Sequence, residues 1–239
     1  MTMKIKAAVV YENAEHPFTE TRPLKIEEVD LDPPGPGEVL VKVMAAGLCH
    51  SDLSAIEGVR PRKMPYVPGH EASGIVQEVG EGVTRVKPGD NAILFFVPNC
   101  GTCTSCDRGE PYLCDTAYEA RGDGSLITGE HKIRLNGEVI NHTSGVSCYA
   151  EYMVLAEGSV IPIEKDIPLE DAALFGCAVI TGVGAVVNTA AVPPGATVAV
   201  LGLGGVGLNA MMAATLSGAE RVIAVDVLDD KLAFARQLG

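Results

Sequence analysis

Four cysteines constrain this chain more than any other feature. Cys100, Cys103, Cys106 and Cys114 follow the spacing C-x2-C-x2-C-x7-C within fifteen residues. Four thiolates so close together can close a tetrahedron around a zinc ion. Gly101 and Gly109 let the loop turn tightly around it. A closed shell of this kind leaves no position for substrate, so its expected role is structural. An iron–sulfur cluster is the other metal option. Cys49, Cys148 and Cys177 bring the count to seven. The opening residues, Met1-Thr2-Met3-Lys4-Ile5-Lys6, lack the apolar core of a secretion signal. An odd cysteine count without such a signal argues against a disulfide framework and for a cytoplasmic setting.

Bulk properties narrow the partners. The net charge is −13, with no local run of Lys or Arg, which disfavours nucleic acid and anionic membrane surfaces. No apolar run reaches the roughly 18 residues of a membrane span. A length of 239 residues suits one large or two ordinary domains.

The first part of the chain reads as short strands between Gly/Pro turns. The expected strands are Lys4–Val10, Glu38–Met44, Gly74–Val79, Asn91–Val97 and Tyr149–Leu155. They suggest a partly closed, barrel-like β domain over residues 1–165. From residue 166 the character changes. Small-residue helical segments lead to an apolar strand, Thr197–Leu201, and a helix over Gly207–Leu216. A second strand over Arg221–Val227 and a helix over Asp229–Leu238 follow. Residues 166–239 therefore read as the opening of a doubly wound α/β domain.

That second part carries Gly202-Leu203-Gly204-Gly205-Val206-Gly207, a G-x-G-x-x-G match between an apolar strand and a helix. This is the context in which the motif binds dinucleotides, with Gly202, Gly204 and Gly207 giving the tight turn and close pyrophosphate approach. Asp226 closes the next strand. A carboxylate there would accept the adenosine ribose hydroxyls and repel a 2′-phosphate, favouring NAD over NADP.

Cys49, His70 and Cys177 stand far apart, and spacing alone does not join them. A lone cysteine is commonly a small buried hydrophobe. The stretch from Gly69-His70-Glu71 through Gly80-Glu81-Gly82-Val83, however, resembles the signature of zinc-containing medium-chain alcohol dehydrogenases. The four-cysteine loop, the Cys49-His50-Ser51-Asp52 segment and the Phe175-Gly176-Cys177 segment resemble others of that family, in the same order. The fold implied is a GroES-like barrel followed by a Rossmann domain. The activity implied is zinc-dependent, NAD-linked interconversion of a small primary or secondary alcohol with its aldehyde or ketone. Cys49, His70 and Cys177 would bind a catalytic zinc and the four-cysteine loop a structural one. Glu71 would sit behind the metal, and Asp52 would orient the His70 ring. Ser51 would pass on the substrate proton. His50 would lie near the pyrophosphate, Lys231 would touch the ribose, and Phe96 and Tyr149 would be pocket walls or ordinary core.

The resemblance has one departure. Many members carry a histidine three positions after the relay hydroxyl, where this chain has Ser54. With all seven ligand positions filled, a zinc-free quinone reductase relative is disfavoured. The stretch between Cys114 and Tyr149 resembles the longer-loop, dimeric members, so the full-length form is expected to be a homodimer. The chain stops 37 residues after Gly202, with two of six dinucleotide-fold strands, so a truncated product or fragment is expected. The competing expectation is a zinc-binding remnant without turnover.

Overall fold

The computed structural model describes residues 2–238, which form two compact units, residues 1–176 and residues 177–239. The first unit holds ten strands: β1 (Met3–Val10), β2 (Leu24–Leu31), β3 (Glu38–Ala46), β4 (Tyr66–Val67), β5 (Ala72–Val79), β6 (Asn91–Leu94), β7 (Ile133–Leu135), β8 (Glu138–His142), β9 (Tyr152–Ala156) and β10 (Val160–Ile163).

Five of them close a barrel in the order β1-β2-β7-β8-β4. The sequence suggests only partial closure. The two-residue β4 completes it, pairing parallel with β8 through Tyr66–Asn141 and Val67–His142, and antiparallel with β1 through Tyr66–Val10. Its brevity hides it from any periodicity argument. The other five form a sheet in the order β10-β6-β5-β3-β9. One buried cluster gathers Val39, Val41, Val76, Leu94, Met153 and Leu155, and a second gathers Ile5, Val9, Val29, Leu31, Leu126 and Ile133. Both are mainly aliphatic, as a chain without Trp requires.

The stretch between β6 and β9 is not a featureless loop. It contains the helix Asp115–Asp123, capped by the Cys114 sulfur and ended by Gly124 at a positive φ of 77°, and then the β7–β8 hairpin. A buried ion pair fastens it to the sheet. Lys132 Nζ lies 2.7 Å from Glu38 Oε2, with the two side chains 9% and 1% exposed. The Gly35 N–H and the Thr128 hydroxyl also donate to the Glu38 carboxylate, at 2.8 and 2.7 Å.

Beside it, His142 is buried as a neutral ring. Its Nε2 accepts the Lys132 N–H at 3.1 Å, and its Nδ1 has no partner. Burial, with the charges of His131 and Lys132 acting in the same direction, pushes its pKa down to about 3. An unfolded histidine titrates near 6.5. Between those values the unfolded chain takes up a proton that the folded chain refuses. The contribution is therefore intact above about pH 6.5 and lost as pH falls towards 3, by about 1.4 kcal/mol per unit. We expect urea midpoints to fall from pH 7.5 to pH 5 more steeply for this chain than for His142→Gln. Parallel pH profiles would contradict the assignment.

The second unit contains two parallel strands, β11 (Thr197–Leu201) and β12 (Arg221–Val225), with the helix Gly205–Leu216 between them and Asp229–Leu238 after them. Leu201, Val225 and Val227 are exposed. No single helix among the described residues is long and apolar enough to cross a membrane.

Candidate metal centres and dinucleotide loop

The structure brings the four sulfurs of Cys100, Cys103, Cys106 and Cys114 within 4.8 Å of one another. Sulfurs 2.3 Å from a central zinc stand about 3.8 Å apart in a tetrahedron, so the cluster fits one ion with slight contraction. Backbone N–H groups point at the sulfurs: Cys103 to Cys100 at 3.3 Å, Cys100 to Cys114 at 3.3 Å and Ala117 to Cys114 at 3.5 Å. Such donors favour thiolates. The Thr116 and Thr102 hydroxyls and the Thr102 and Cys103 N–H groups hold Cys100 down at about 5, whereas burial and the neighbouring thiols push Cys106 up to about 11. Of residues 100–114, only Cys114 is buried.

Cys49, His70 and Cys177 form a second group, also within 4.8 Å of one another. Cys49 precedes the helix His50–Ile56 and His70 precedes β5. Cys177 opens the second unit but is bonded to Gly176, where a Cβ would overlap the Leu94 carbonyl of β6. That close approach pins the junction and hence the cysteine.

Asp52, 4% exposed, organises this group. Its Oδ1 lies 3.1 Å from His70 Nδ1 and accepts the Gly69 N–H at 3.1 Å. A carboxylate acceptor assigns the proton to Nδ1 and leaves Nε2 for a metal. Burial opposes the imidazolium, but the bond to Asp52 and the approach of Cys49 outweigh it and raise the His70 pKa to about 9. The metal-free group thus attracts positive charge, as a cation site should.

The remaining candidates surround this group. Glu71 is buried, and its side chain packs against Gly47. The Tyr149 hydroxyl lies 3.2 Å from both Asp52 Oδ2 and the Gly47 carbonyl, so its one proton serves one of them at a time. Burial, then the Asp52 charge, raise its pKa. Its polar role escapes a sequence reading that weighs only pocket wall or core. The Phe96 ring meets His70 edge-on, with centroids 5.1 Å apart. His50 is exposed and, with Leu48, Cys49, Leu53 and Tyr149, lines an open cleft of about 530 Å³. Arg60 Nη1 donates to Ser51 Oγ at 3.4 Å, and the Arg60 N–H donates to the Ser54 carbonyl at 3.0 Å. No local signal in the sequence ties Arg60 to Ser51. Cys148 is a core residue, 1% exposed, with its sulfur against the Glu71 carbonyl.

In the second unit the glycine loop joins β11 to the helix Gly205–Leu216. Gly202 has a positive φ of 91°, and a Cβ on Gly207 would overlap the Gly202 carbonyl. The turn therefore requires both glycines. Asp226 Oδ2 accepts the Leu203 N–H at 2.7 Å, and Oδ1 accepts the Leu228 N–H at 3.0 Å. These bonds lower the Asp226 pKa, and Lys231 Nζ stands 3.8 Å away.

Comparison with known proteins gives a consistent picture. Residues 35–165 match the alcohol dehydrogenase GroES-like domain. The structure of an alcohol dehydrogenase zinc-binding domain protein from Burkholderia ambifaria is 36% identical, with a TM-score of 0.91 over 100% of this chain and 63% of that one. Benzyl alcohol dehydrogenase from Acinetobacter calcoaceticus is 34% identical, with a TM-score of 0.88 over 99% of this chain and 62% of its own. Acetophenone reductase from Geotrichum candidum, in complex with NAD, is 28% identical, with a TM-score of 0.77 over 99% and 62%. The chain thus spans less than two thirds of the length of these proteins.

Proposed function

Because the chain belongs to the zinc-type alcohol dehydrogenase family, we propose that it serves NAD-linked interconversion of an alcohol with its aldehyde or ketone. The observation that carries this reading is the open three-ligand group of Cys49, His70 and Cys177. Three protein ligands leave a fourth position for substrate, which a four-thiolate shell does not. Zinc in that group would supply Lewis acidity to the alcohol oxygen, and NAD would supply the hydride acceptor.

The chain's own residues do the rest. Asp52 fixes the His70 ring with Nε2 available. Ser51 Oγ accepts the substrate hydroxyl proton and releases its own towards solvent. Arg60, donating to that oxygen, stabilises it while the proton is in transit. Glu71 backs the group from within the core. His50 offers a cationic contact for the pyrophosphate. Gly202, Gly204 and Gly207 shape the loop that receives it. Asp226 keeps acceptor capacity for ribose hydroxyls, since a carboxylate has about four lone-pair sites and two accept backbone N–H groups. Lys231 would join it there. A second zinc on the four-cysteine loop would act in folding alone.

A second reading is a zinc-binding polypeptide without turnover. It is favoured by the exposed Leu201, Val225 and Val227 of a two-stranded sheet. Absorbance at 340 nm separates the two. On the proposed reading, the zinc-loaded chain forms NADH from NAD and a panel of primary and secondary alcohols. No NADH from any alcohol, with both zinc sites filled, would favour the second.

A further inference from the structure

Three guanidinium groups in the first unit lack an acidic partner, in a chain with 31 Asp and Glu against 18 Lys and Arg. None of Arg60, Arg62 and Arg121 enters an ion pair among the described residues. Arg62 buries an Nε–H that finds no acceptor. Arg121 is half-buried, and burial first, then the charge of Arg62, lowers its pKa, so the two cations are neighbours. Tyr66 is fully buried, and its hydroxyl has no partner. Burial pushes that hydroxyl up to about 12 while the nearby Arg62 charge acts against the shift. Asp52 also bears on Tyr66, but its oxygens are already engaged by His70, Gly69 and Tyr149.

Unpaired buried donors and adjacent like charges are costly unless something neutralises them. Guanidinium forks match the paired oxygens of carboxylate and phosphate. Arg121 also shares a cavity with Phe96, Ser125, Ile127 and Ser144, and Phe96 packs on the His70 ring. The cationic patch therefore adjoins the group read above as the catalytic metal site. Arg60 adds a third cation at Ser51.

We propose that Arg62, Arg121 and the Tyr66 hydroxyl bind an anionic group on the substrate. The substrate class is then an alcohol or aldehyde that also carries a carboxylate or phosphate. This rests on the reading of Cys49 and His70 as metal ligands. The test is calorimetry on the zinc-loaded chain. Its probes are ω-hydroxyalkanoates of about three to six carbons, the matching plain alcohols and the matching ω-hydroxyalkyl phosphates. At least one anionic series should bind about tenfold or more tighter than the alcohols, with an advantage that shrinks as salt rises. The stronger series identifies the anion. Arg121→Gln should remove most of that advantage, and Arg121→Lys should keep part of it, both with unchanged zinc content. Equal affinity for anions and alcohols would overturn the proposal, as would an advantage that survives in the Arg62→Gln, Arg121→Gln double variant. Metal analysis of the same samples keeps the two readings apart. One zinc per chain with the anion preference intact would sink the catalytic-metal reading alone. Two zinc without the preference would sink the arginine site alone.

Discussion

Cys103→Ser is expected to cost the chain one zinc ion and the order of residues 100–114. This lobe has no core of its own, for Cys114 is its one buried residue, and Tyr112 and Leu113 are exposed. Its regular structure amounts to a four-residue helix, Thr104–Asp107, and a three-residue turn, Pro111–Leu113. Fixing a backbone costs about 1–2 kcal/mol per residue. The few backbone bonds and N–H···S contacts cannot offset that over fifteen residues. Structural zinc can, since such sites contribute on the order of 10 kcal/mol to folding. Limited proteolysis should therefore cut the variant within the lobe at least about tenfold faster, while the β1–β10 core keeps its circular dichroism. Unchanged protection with a full zinc complement would refute the role.

Lys132→Met carries the second large effect. It removes the ammonium from Glu38, whose carboxylate is 1% exposed, and keeps most of the side-chain volume. The Gly35 N–H and the Thr128 hydroxyl remain, but neither carries charge. Breaking one side of a buried pair costs about 3–5 kcal/mol, because the other charge stays buried. The Glu38→Gln, Lys132→Met double variant should recover much of that loss, since the stranded charge is gone. Urea unfolding measures both. A loss below about 1 kcal/mol in the single variant would show that the carboxylate is neutral or hydrated without Lys132.

Much of this architecture is legible in the sequence wherever one side-chain pattern dominates. Thr197–Leu201 and Arg221–Val225 are apolar runs beside a glycine loop, and they form the parallel pair expected. Where pattern is weak, structure hides. The helix Asp115–Asp123 buries Ala117 alone, so it has no apolar stripe to betray it. In β2, Leu-Lys-Ile-Glu-Glu-Val-Asp-Leu, the buried residues crowd into the last three positions. The strand is recognisable through its pairing with β1 rather than through alternation.

The candidate site divides in the same way. Cys49, His70 and Cys177 are separated by 21 and 107 residues. Family resemblance gathers them in the sequence, and β5 and the tight Gly176 junction gather them in space. The bonds from Tyr149 to Asp52 and from Arg60 to Ser51 link residues 97 and 9 positions apart. No spacing rule carries such pairs, because each depends on where a loop happens to return.

The central claim is that one chain holds a closed four-thiolate site and an open three-ligand site, each for its own zinc. Metal analysis of the purified chain, of Cys49→Ser and of Cys103→Ser tests it most directly. The account predicts two zinc per chain, falling to one in either variant, with a native fold kept in Cys49→Ser. A single zinc per chain that Cys49→Ser leaves in place would contradict it.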